Sequence, residues 1–235
     1  MKMDREEIFR GLWQIRDGDL ALTVSLLATR GIDVLKSPNE ALTWCAERAE
    51  AGDPQAQHVL AKLLWTGLAG TRDDQAAFRW CSRASDQGYL PATVMLAGFY
   101  STGIGVRRDS AKSVDLLGAA AAAGSVDAMS LLAVTYDNAL GVERDVAKAI
   151  DLWRSAAQSG HAEAQYHLGL KLTDSASQDE ASEGVRWLGE AATQGLPSAH
   201  HALAHLYETG GAGLPTDEVL AQRHRAAAAA LEREE

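Results

Sequence analysis

Between Pro91 and Gly124 the apolar residues fall at helical spacing, first on one segment and then on a second. Ala92, Leu96, Ala97 and Tyr100 share one face of a first helix. Gly103 stops it, because glycine enters the left-handed cap conformation without a side-chain clash. Gly105 and Val106 make the turn, with Val106 set to plug the core beneath it. Asp109 suits the N-cap of a second helix, where its carboxylate accepts main-chain N–H groups. Ser113, Leu116, Ala120 and Ala121 form that helix's buried face, and Gly124 ends it. The pattern predicts a helix–turn–helix unit.

The unit recurs. Ala56, Ala92, Ala128 and Ala164 lie 36 residues apart, as do Gly52, Gly88, Gly124 and Gly160, and Trp44 and Trp80. Five clear copies cover 53–88, 89–124, 125–160, 161–195 and 196–232, with a worn copy over 17–52 that includes Val24 and Gly31. Residues 4–16 form a further amphipathic helix, capped by Asp4 with Glu6 and Glu7 in its first turn. A fixed period of this size marks a solenoid, in which each unit buries its apolar face on the next. We therefore expect residues 1–235 to form one solenoid domain of about thirteen helices.

Ala92 to Gly124 and Ala128 to Gly160 spell a known order: alanine, leucine-alanine, tyrosine, a glycine–valine turn, aspartate, paired alanines, glycine. In this the chain resembles the Sel-one-like repeat family, relatives of the tetratricopeptide repeats, over roughly residues 19–232. Ala139 stands where repeat four should have its first turn glycine, and repeat five lacks the glycine–valine turn. The resemblance implies an all-α, right-handed α-solenoid superhelix of tandem helix-turn-helix repeats. It also implies an adaptor or scaffold for other proteins.

Charge and composition narrow the function. The net charge is −10, so the chain repels phosphate backbones and nucleic acid is an unsuitable partner. Arg107-Arg108, with Asp109 beside it, reads as a solvated loop. No stretch approaches the roughly 18 uninterrupted apolar residues of a membrane span. The amphipathic N-terminus lacks a signal-peptide core, so the expected compartment is the cytoplasm. Cys45 and Cys81 are the only cysteines. Equivalent positions of neighbouring repeats stand about 10 Å apart, beyond the roughly 7 Å a disulfide tolerates. They should be buried thiols; the resemblance adds that secreted members of the family often carry a cysteine pair within each repeat, which this chain lacks.

Helical phasing gives each first helix an open face, which in such superhelices lines the concave side. Repeat two presents His58, Lys62 and Trp65, and repeat three Val94, Gly98 and Ser101. Repeat four presents Ser130, Val134 and Asp137, repeat five Tyr166 and Leu170, and repeat six His201, His205 and Glu208. Trp65 is either a binding anchor or a residue that a neighbouring helix covers. Trp44, Trp80 and Trp187 belong to the core column.

His201, His205 and Glu208 have the i, i+4, i+7 spacing of metal ligands. No general-base glutamate lies between the histidines, and we read them as a polar, pH-sensitive corner with no metal or cofactor. The glycines near Gly210 follow a helix and cannot make a dinucleotide loop. With no nucleophile elbow or paired acid–base carboxylates, the expected function is non-enzymatic. The chain should bind a partner protein or peptide in its concave groove. The alternative is a dedicated neutraliser of one toxic or regulatory protein.

Overall fold

The computed structural model describes residues 38–67, 70 and 72–234. The expected helix at 4–16 and the first half of the worn repeat, with Val24 and Gly31, lie outside the described residues. Among the described residues there are eleven α-helices and no strand. In order they are α1 (Pro38–Glu50), α2 (Pro54–Thr66), α3 (Asp74–Asp86), α4 (Leu90–Thr102), α5 (Ser110–Ala122) and α6 (Val126–Asp137). Then come α7 (Val146–Gln158), α8 (Ala162–Thr173), α9 (Gln178–Thr193), α10 (Pro197–Thr209) and α11 (Glu218–Glu234). A single 3₁₀ turn, Gly211–Gly213, lies between the last two.

The periodic aspartates start the second helices. Asp73, Asp109 and Asp145 accept the main-chain N–H of Ala76, Lys112 and Lys148 at 2.8, 3.0 and 2.9 Å. Asp217 does the same for Leu220 at 2.9 Å. Each satisfies a donor that a helix N-terminus would otherwise leave open. In repeat five Ser177 replaces the aspartate as the cap of α9.

The chain forms two compact units. One contains the residues up to Leu131 together with Asn138–Arg144, and the other Leu132–Asp137 together with the residues from Asp145 onward. In the first unit α2 packs on α3 and α4 on α5, with α1 on α2 and α3 on α4 joining them. In the second unit the pairs are α8 with α9 and α10 with α11, joined by α7 on α8 and α9 on α10. The alternation of hairpin contacts with links between hairpins is the solenoid plan.

The largest fully buried side chains of the second helices form one column: Cys45, Cys81, Leu117, Trp153 and Leu188, each no more than 1% exposed. The tryptophan column predicted for that place is one residue earlier, a rotation of about 100°. Trp44 and Trp80 are consequently only half-buried. Each carries an arginine over its ring, Arg48 at 5.3 Å and Arg83 at 4.6 Å from the ring centre. Trp187 is buried, with Arg186 at 4.5 Å. Both cysteines are buried and free. Burial pushes the Cys45 thiol up to about 12 and raises Cys81 as well, so neither is a thiolate at neutral pH.

Two turn glycines show how closely the repeats meet. Gly105 has φ +67°, and a Cβ there would collide with the Asp74 carbonyl and stand 2.9 Å from Phe78 Cβ. Gly141, one period later, meets Ser110 in the same way. The turn of one repeat thus rests on the start of the preceding repeat's second helix. Ala139 keeps a left-handed backbone, φ 55°, where the pattern calls for glycine. Gly105→Ala should lower unfolding free energy by at least ~3 kcal/mol, from backbone strain plus collision. Gly88→Ala, with φ +80° and open space around it, should cost only about 1–2 kcal/mol. Urea unfolding of the two variants checks this, and equal losses would remove the collision from the account.

Candidate functional site

The predicted open face is closed over much of its length. His58 is 6% exposed and sits against Tyr89, with ring centres 5.5 Å apart. Its Nδ1 has no hydrogen bond. Burial, with a smaller contribution from Lys62, pushes its pKa down to about 3. Trp65 is half-buried and meets Phe99 of α4 edge-on, at 5.6 Å and 78°. Val134 is 4% exposed. Gly98, Ser101 and Ser130 are buried too. The expectation of solvent-open residues therefore fails for His58 and Val134, and Trp65 is covered on one side.

The cause is contact with the next repeat: His58 meets Tyr89, just before α4, and Trp65 meets Phe99 of α4, before either side chain reaches water. α4 consequently buries residues around most of its circumference. Lys62 and Val94 stay half-exposed.

In the second unit Asp137 forms an ion pair with Lys171 at 2.7 Å, and its side chain is 12% exposed. It ties α6 to α8 and offers little to a partner. Tyr166 and Leu170 of α8 are half-buried on the cluster formed by α9 and α10, beside Ala202 and Leu206. Burial raises the Tyr166 phenol pKa. His201, His205 and Glu208 are exposed. His201 Nε2 meets Glu232 Oε1 at 2.9 Å, and Glu208 pairs with Arg225. Both are thereby drawn toward α11 and away from a common metal. Among the described residues no three His, Cys, Asp or Glu side chains converge to hold a metal ion.

Two features escaped the periodic reading. Trp153 and His167 stack at 5.2 Å and 15°, and burial pushes the imidazole pKa down to about 4. Nothing in neighbouring repeats marks this pair, since the same column holds Cys81 and Leu117. The second feature is charge asymmetry, which was open to inspection. Residues 161–235 carry twelve acidic and five basic residues, whereas 53–124 carry six and seven.

The family model for the Sel1 repeat matches residues 25–53, 54–89, 90–125, 126–161, 162–196 and 197–231. Together with the helical hairpins, these six matches show that the chain belongs to the Sel1 repeat family. A solved Sel1 repeat protein from Oxalobacter formigenes is similar at 26% identity and TM-score 0.79, over 92% of this chain and 86% of that one. The c5321 protein, described as a protective antigen of uropathogenic Escherichia coli with an SLR fold, is 29% identical with TM-score 0.71. That match covers 92% of this chain and 45% of that one. The immunity protein PA5088 of Pseudomonas aeruginosa is 20% identical with TM-score 0.61, over 83% and 74% of the two chains. It shares the fold. No curated protein sequence matches significantly. No helix among the described residues is long and apolar enough to cross a membrane.

Two outcomes follow. Trp65→Ala should lose about 2–3 kcal/mol of stability in chemical denaturation, since it removes a ring packed on Phe99. An unchanged midpoint would return Trp65 to the list of binding anchors. Acid should also destabilise the fold through His58. Its folded pKa, about 3, lies below the ordinary ~6.5 of the unfolded chain. From near pH 6.5 downward the unfolded state takes up a proton that the folded state refuses. Stability should fall by about 1.4 kcal/mol per pH unit for this group. His58→Leu should reduce the measured slope between pH 6 and 5 by that amount, and an unaltered slope would refute the assignment.

Proposed function

We propose that this chain is a non-catalytic protein-binding module, and that its contact surface is on the first helices of the C-terminal repeats. Tyr166 and His201 occupy equivalent positions of adjacent repeats, as do Leu170 and His205. Their helices, α8 and α10, touch directly. The face joins half-buried apolar groups to exposed imidazoles, a mixture suited to an anchor with a polar surround. The observation that carries the reading is that this face keeps accessible side chains, whereas the same columns in repeats two to four are largely packed away. The concentration of acidic residues after residue 160 favours a basic partner, captured with electrostatic steering. Lys62 and Val94, half-exposed in the first unit, are candidates of their own.

A second reading is a dedicated neutraliser of one toxic or regulatory protein. The similarity to an immunity protein motivates it, at an identity that speaks for the fold alone. The acidic bias fits that task as well as it fits a general adaptor. The two free, buried cysteines suit a reducing compartment, and we place the protein in the cytoplasm on that ground.

The test begins with crosslinking in the native cells and identification of the captured protein. Leu170→Ser and His205→Glu should then each weaken binding to that protein about tenfold or more, corresponding to roughly 1.4 kcal/mol. Circular dichroism should show an unaltered helical content. Undiminished affinity in both variants would remove this face from the proposal. An association rate that falls steeply with added salt would favour the basic, dedicated partner, and a flat salt dependence would oppose it.

A further inference from the structure

The joints between repeats in two places use the same buried glutamine. Gln57 Nε2 donates to the Ala49 carbonyl at 3.0 Å, and Gln165 Nε2 donates to the Ala157 carbonyl at 3.2 Å. Gln87 and Gln194 close each joint by donating to the Oε1 of Gln57 and Gln165 at 2.8 and 2.7 Å. Gln57 and Gln165 lie three periods apart, and one repeat further on the position is His200.

His200 keeps the joint's first bond, to the carbonyl of Ala192, which corresponds to Ala49 and Ala157. Its second bond differs. His200 Nδ1 faces His224 Nδ1 of α11 at 3.0 Å. Tyr207 stacks on His224, with ring centres 5.8 Å apart and planes 10° from parallel. A Nδ1-to-Nδ1 hydrogen bond needs one ring to donate and the other to accept. It holds while the two acceptor sites share one proton. Adding a proton to the accepting Nδ1 makes both nitrogens donors, which ends the bond, and leaves at least one ring a cation.

The geometry points to a proton-sensitive latch between α10 and α11: the His200–His224 pair closes it, and uptake of the second proton opens it. Burial lowers both pKa values, with His201 acting on His200 and His200 acting on His224 as smaller causes. The neighbouring charges do not relieve the pair. Glu232 is engaged by His201, and Arg225 is shared by Glu208 and Glu218. The His201–Glu232 pair is exposed on both sides, and exposed pairs contribute little. From α9 the contact is the uncharged Ala192 carbonyl, and the 3₁₀ turn at Gly211–Gly213 has no ionisable side chain. Opening bares the sides of α10 and α11 that carry Leu203, Ala221 and Ala228, all buried when the latch is closed. The inference concerns closure of the last repeat and does not rest on the proposed binding function.

Hydrogen exchange of the intact protein at pH 7.5 and 5.5, corrected for intrinsic rates, tests it. Protection of amides in α11 should fall about tenfold more than protection of amides in α8. The α8 reference takes up any acid destabilisation of the whole unit through His167. His200→Gln installs the residue used at the Gln57 and Gln165 joints and should abolish the extra loss. If that variant fails to fold, His224→Gln serves, with the same expected result. An equal loss in the folded variant, or no extra loss in the parent, would overturn the latch.

Discussion

Close approach of neighbouring helices through small residues is the constraint on which the rest of this structure depends. Ala92, Ala128, Ala164 and Ala199 have no exposed surface, and Ala56 very little. A larger side chain in that column would force the hairpins apart and remove the dispersion contacts that hold them. The turn glycines follow from the same constraint, because the backbone at Gly105 comes too near Asp74 to leave room for a Cβ. So do the buried polar joints, since a main-chain carbonyl at the end of one helix pair must be satisfied by the next.

Close packing also limits where a partner can bind. A first helix squeezed between its neighbours has little circumference left for solvent, as α4 shows. Accessible side chains survive where the pattern relaxes, toward the C-terminal repeats, and the acidic charge accumulates there as well. In a repeat array each unit contacts chiefly its neighbours. A terminal repeat can therefore change its polar chemistry, as His200 does in place of glutamine, without disturbing distant units.

Much of this was legible in the chain before its structure was known. Asp73, Asp109, Asp145 and Asp217 were readable as caps because a cap depends on a few consecutive residues. Gly103 was readable as a stop for the same reason, and Cys45 and Cys81 as buried thiols because the period sets their separation. The candidate binding face was less legible. Helical phase shows which way a side chain leaves its own helix, but not how near the next helix stands. Trp65, His58 and Val134 all leave the helix on the predicted side and end against another part of the fold. Trp153 shows the converse: one residue of phase separates the half-exposed tryptophan column from the fully buried one.

The sequence by itself determined the repeat length, the helix starts and stops, the family and the net negative charge. Each of these rests on local chemistry or on composition, which residue order carries directly. Only the tertiary structure decided which first-helix side chains remain accessible, which tryptophan fills the core, and that His200 meets His224. Those outcomes depend on distances between different helices, set by how far alanine and glycine let the helices close.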